Sequence, residues 1–210
     1  MGDEEKWREL ARDLGFEFKE GLRGFLESPA LQMMAIEGLT RDGLDQAGKF
    51  LEKPWVQALL TRMFLGVVTG RHQGIEFHLY RGGKTSGSRT VYDINVAALF
   101  GRSLHCGLVV YRSGFLARLG RRLFPNRYVR IPHDPEFDRL VVVRARDEVQ
   151  ALAYFSSREV RGALLDLFRS KDDYKINDHG LRYKAPGRTL DRARALELMD
   201  RMAEVVEKIT

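Results

Sequence analysis

Hydrophobic and polar positions alternate most clearly in the middle of the chain. In "GIEFHLY", Ile75, Phe77 and Leu79 alternate with Glu76, His78 and Tyr80. In "TVYDINV", Tyr92, Ile94 and Val96 alternate with Val91, Asp93 and Asn95. A period of two predicts half-buried strands, with the polar set facing water. "FLGVVTG" before them reads as a further strand, joined through "RHQG". The valine-rich runs "HCGLVVYR" and "FDRLVVVRA" predict two more. "YKINDHGLRYKA" reads as a hairpin with Asn177, Asp178, His179 and Gly180 at its tip.

Toward both ends the period becomes helical. Trp7, Leu10, Ala11 and Leu14 recur at i, i+3, i+4 and i+7, and Gly15 is placed as a C-terminal cap. Ser28-Pro29, Thr40 and Pro54 mark the starts of three short helices, so the first 65 residues read as helical. Ser156 with Glu159 forms a capping box ahead of "VRGALLDLF", whose stripe is Val160, Leu164, Leu167 and Phe168. "DEVQALAYF" leads into it as a turn or short helix. The last helix carries Leu196, Met199, Ala203, Val206 and Ile209 on one face. Strands in the middle and helices at the ends, without β-α-β alternation, predict an α+β fold. Its sheet is central and largely antiparallel, with helices packed on one face, short helices at the N-terminus and a long one at the C-terminus. The expected organisation is a single domain spanning residues 1–210. Residues 1–65 form its helical region, residues 66–146 its sheet-rich region, and residues 147–210 a helix-hairpin-helix region. Three prolines between Pro125 and Pro135 suggest a flexible connection.

Composition sets the class. The chain has 210 residues, 44% hydrophobic and 30% charged, as a soluble globular protein has. The acidic start "MGDEEKWREL" is unlike a signal peptide, and no run approaches the roughly 20 apolar residues of a membrane span. Lys6 occupies the position where a myristoylation signal needs Ser or Thr. The one cysteine, Cys106, allows neither an internal disulfide nor a cysteine-based zinc site. A cytoplasmic setting is expected.

Charge sharpens the picture. The net charge is +6, yet it is concentrated. Ile94 to His133 contains no Asp or Glu and seven arginines: Arg102, Arg112, Arg118, Arg121, Arg122, Arg127 and Arg130. The rest of the chain nearly balances, with 28 basic and 29 acidic residues. Arginine presents a planar fork that suits phosphate and carboxylate oxygens.

Three candidate sites follow. Gly83-Lys84-Thr85 resembles a fragment of a P-loop, but the required upstream glycine is His78, and a strand follows where a helix is needed. The segment reads as a hairpin loop, with Lys84 and Arg89 as candidate anion contacts. Glu76, His78 and Asp93 are a candidate acid–base set, if the strands bring them level. The five histidines have no metal-ligand spacing, so no metal site is predicted, and no cofactor fingerprint is present. His105 and Cys106, as strand neighbours, are expected to point to opposite faces, with Cys106 in the core.

The third candidate site is "RSGFLARLGRRLFPNRYVR", 112–130. As a helix over 114–124 it places Phe115, Leu116, Leu119 and Leu123 on one side and Arg118, Arg121 and Arg122 on the other, before Pro125 stops it. Arg127, Tyr128 and Arg130 follow. The leading expectation is a non-enzymatic binding or regulatory module. It engages an anionic partner, whether nucleic acid, acidic protein or phospholipid surface, through Arg112, Arg118, Arg121, Arg122, Arg127, Tyr128 and Arg130. One alternative is a small hydrolase or transferase on a phosphorylated or anionic substrate, using Glu76, His78 and Asp93. Another is a structural or assembly protein acting as a homodimer.

Overall fold

The computed structural model describes residues 2–21, 65–86, 89–114, 123, 128–131, 134–170 and 172–210, with backbone alone at 84–86 and 89. Among these are five helices and eight strands, and the strands form one sheet in the order β1-β2-β3-β4-β8-β7-β5-β6. The architecture is α+β with an antiparallel sheet. Packing divides the chain into two compact units, Met1–Ala97 with Lys184–Glu197 and Ala98–Tyr183 with Leu198–Thr210.

The first unit opens on helix α1, Asp3–Leu14. Three acids in its first turn complement the positive end of the helix, and Gly15 ends it at φ 69°, a left-handed conformation that suits glycine. Trp7, Leu10 and Ala11 are buried as the stripe predicts. A strand, β1 (Glu17–Glu20), follows where the helical reading of the first 65 residues has none. Gly15 breaks the helical period, and pairing with β2 (Gly66–His72) determines the conformation of this short charged segment. The three helices predicted at Ser28, Thr40 and Pro54 lie outside the described residues.

β2 pairs antiparallel with β3 (Ile75–Ser86) through the turn at Gln73 and Gly74, with φ of 51° and 79°. Two consecutive positive φ values match the right-handed twist of the flanking strands. β4 (Arg89–Leu99) is the next strand of the sheet. The half-buried reading of β3 fails: Phe77 and Leu79 are buried, and so are His78 and Tyr80 from the opposite face. Ile94 to Ala98 of β4 are likewise buried without alternation. Polarity alone assigned His, Tyr and Asn to water, but His78 and Asn95 are buried with hydrogen-bond partners in Glu76 and the Asp93 carbonyl.

In the second unit β5 (Val109–Arg112) pairs antiparallel with both β6 (Val141–Arg144) and β7 (Asp173–Asn177). β5 is shorter than "HCGLVVYR" predicts, because His105 and Gly107 have φ of 54° and 67° and form a turn. His105 and Cys106 are therefore not strand neighbours. The strand predicted over "FDRLVVVRA" is also divided: Phe137 to Leu140 belong to helix α2, Pro135–Leu140. Asp134 caps that helix by accepting from the Phe137 N–H at 3.0 Å, and Pro135 sits in its first turn. Helix α3, Glu148–Tyr154, is capped in the same way by Asp147.

Helix α4, Arg158–Arg169, is capped by Ser157 rather than Ser156. Ser157 Oγ accepts from the N–H groups of Glu159 and Val160, while Ser156 Oγ donates to the Ala153 carbonyl. The predicted hairpin is present, with β8 (Gly180–Pro186) following β7. Helix α5, Arg192–Ile209, buries Met199, Ala203, Val206 and Ile209 as predicted. Leu198, Met202 and Val205 widen its apolar stripe, and Leu196 is only half-buried.

Candidate anion-binding face

Cross-strand pairing in the second unit lines up basic and aromatic side chains on one face of the sheet. Tyr111 of β5 stands opposite Lys175 of β7 on one side and Val142 of β6 on the other. In the neighbouring row, Val109 stands between Asn177 and Arg144. Residues directly opposite in antiparallel strands share a face, and alternate residues of one strand share it too. Tyr111, Lys175, Val109 and Arg144 are therefore on the same face.

The tail of the arginine block completes it. Val129 bridges to Val143 of β6, and its N–H donates to the Val143 carbonyl at 2.9 Å. Val129 is buried, so Tyr128 and Arg130 on either side of it project the other way. The Arg144 guanidinium lies 6.0 Å from the centre of the Tyr128 ring, at the reach of a cation–π contact. Arg130 and Arg144 are exposed, and neither has a carboxylate partner among the described residues. The outcome is a strip with two exposed guanidinium groups, Lys175 and two half-buried tyrosines around a floor of Val109 and Val142. Asp173 is the described carboxylate that shares the alternation of β7 with Lys175.

The structure separates the predicted arginines. Arg112 ends β5 opposite Val141, in the alternation of Val110, and so projects from the other face of the sheet. Arg102 is exposed in the bend after β4. Arg118, Arg121, Arg122 and Arg127 lie outside the described residues, as does most of the predicted helix over 114–124; Leu123 of that segment is exposed. Sequence pattern alone does not single out Arg144, Tyr111 or Lys175. The available signal is the two-residue alternation within "VVVR" and "YKIN", which needs the register to become a surface.

Gly83 and Lys84 lie within β3, and β4 begins at Arg89, so no helix follows the Gly-Lys-Thr segment. The side chains of Lys84 and Arg89 are outside the described residues. Of the candidate acid–base set, His78 and Glu76 meet, with Nε2 and Oε1 2.7 Å apart. Burial lowers the His78 pKa, and the Glu76 carboxylate acts in the opposite direction. Asp93 instead pairs with Lys184 Nζ at 2.9 Å. Gly82 is the β3 residue beside Asp93 and Asn95, four positions along β3 from His78, or about 13 Å at the usual strand rise.

Cys106 is buried beneath the turn formed by His105 and Gly107. Asp178 organises that turn: its carboxylate accepts from the N–H groups of Gly107 and Leu108, both at 2.8 Å, and from the Cys106 thiol at 3.6 Å. Burial and the Asp178 charge push the thiol up to about 11. Among the described residues no helix is long and apolar enough to cross a membrane, and no three His, Cys, Asp or Glu side chains gather as a metal site.

No protein-family model matches the chain, and no curated protein matches it. A solved structure, that of the mycobacterial trehalose monomycolate transport factor A, TtfA, is similar over 99% of this chain and 94% of that one, at 12% identity and a TM-score of 0.49.

Proposed function

We propose that the protein is a binding module that engages a polyanionic partner through the basic face of the second unit. The observation that carries this reading is the pair Arg130 and Arg144, exposed on one sheet face beside Tyr128 and without carboxylate partners among the described residues. β6 fixes the backbone of Arg144, and its guanidinium lies by the Tyr128 ring. Lys175 adds positive charge, and Tyr111 and Tyr128 offer ring surface to the non-phosphate portion of a ligand. Single-stranded nucleic acid combines both features, a charged backbone and flat bases. The test is binding of a fluorescent oligonucleotide across a range of salt. Affinity falling steeply with salt supports the reading, because phosphate contacts release counterions. No binding at low salt contradicts it for nucleic acid.

A further inference from the structure

A second cationic site stands in the first unit, built around Tyr92. Arg81 of β3 is only 5% exposed, and its Nη1 donates to the Asp3 carboxylate of α1 at 2.8 Å. Its Nε–H is buried without an acceptor among the described residues. The Arg81 guanidinium lies 4.3 Å from the centre of the Tyr92 ring, and the Arg188 guanidinium lies 5.0 Å from the same centre. Two cations thus share one ring, and the Asp3 carboxylate pairs with the buried one.

The backbone at Arg188 is held in place. Its carbonyl accepts from Trp7 Nε1 at 3.0 Å, and the preceding Gly187 N–H donates to the Tyr92 carbonyl at 3.0 Å. Its side chain remains exposed and has no carboxylate partner among the described residues. A solvent-facing guanidinium on the same ring as a buried one offers a small anion with several oxygens a cationic place to bind. A guanidinium fork takes two such oxygens at once.

We infer that Arg188, Arg81 and Tyr92 form a binding site for a phosphate-class oxyanion, with the Asp3 carboxylate as the resident group that competes for it. The site is independent of the basic face in the second unit. The test is a titration of the intact chain with inorganic phosphate, read by the NMR shifts of the Trp7 and Arg188 Nε–H groups. Saturable shifts are expected. Arg188→Ala should weaken the response at Trp7 by about tenfold or more, as expected when a charge-assisted hydrogen bond is removed. Asp3→Asn should tighten binding, because the competing carboxylate is removed, whereas a purely structural stack predicts no tightening. Replacing Arg130 and Arg144 should leave the phosphate response unchanged. An absence of saturable shifts, or full affinity in Arg188→Ala, would overturn the assignment. Arg188 is exposed, so that variant keeps the test decisive even if Asp3→Asn fails to fold.

Discussion

Asp178 shows how much one side chain can organise. Its carboxylate holds two backbone N–H groups and faces a buried thiol. Asp178→Ala leaves those N–H groups without acceptors, at about 1–3 kcal/mol each. A fall of several degrees in melting temperature is the expected result, and an unchanged melt would mean that water replaces the carboxylate without loss. The thiol pKa near 11 also predicts that Cys106 reacts slowly with a disulfide reagent at pH 8 in the native state and quickly after denaturation. His78 gives a pH dependence. Its folded pKa lies below the ordinary value, because burial disfavours the charged ring. As pH falls through about 6.5 the unfolded chain takes up this proton first, so stability is greatest above that pH and declines toward acid. Denaturant midpoints at pH 7.5 and 5.5 should differ less in His78→Gln than in the natural chain; an equal difference would assign the decline to other groups. Residue identity in the sequence announced Cys106 as a core residue. It did not announce the partner, because Asp178 lies 72 positions away and only the hairpin brings it there.

At the scale of elements, local caps decide where helices begin. Asp134 accepts from the Phe137 N–H and pairs with Arg161 Nε at 2.8 Å. Partial burial tends to raise the Asp134 pKa, but the N–H and the guanidinium outweigh it and hold the carboxyl below its usual range. Asp134→Ala should therefore cost about 1–2 kcal/mol from the cap alone, read as a lower urea midpoint at neutral pH. The contribution is present above the ordinary carboxylate pKa near 3.9 and is lost as pH falls below it, so the two chains should converge in strong acid. Other local features are legible: the Gly15 C-cap, the hairpin tip at Asp178-His179 and the α5 stripe followed from local pattern. Phe137 to Leu140 did not, because "FDRL" runs directly into "VVV" and reads as part of that strand until Asp134-Pro135 is recognised as a helix start. β1 was missed for another reason. Four residues with three charges carry little intrinsic strand preference, and the pairing with β2 that determines them is a long-range contact.

For the whole molecule, the segregation of charge was legible in the sequence, but its distribution over the surface was not. A count of arginines places Arg112 and Arg130 together, whereas the strand register sends them to opposite faces. Register likewise adds Arg144 and Lys175, which lie outside the arginine block. The proposed binding therefore belongs to a face and not to a segment. The measurement that tests it most directly compares the salt dependence of oligonucleotide binding in three chains: natural, Arg130→Ala/Arg144→Ala, and Arg112→Ala. The double substitution should weaken binding and flatten the slope of log affinity against log salt by about 1.4, at about 0.7 for each phosphate of a single strand that is no longer neutralised. Arg112→Ala should leave both nearly unchanged. Equal effects from all three arginines, or none from the pair, would contradict a binding surface on this face of the sheet.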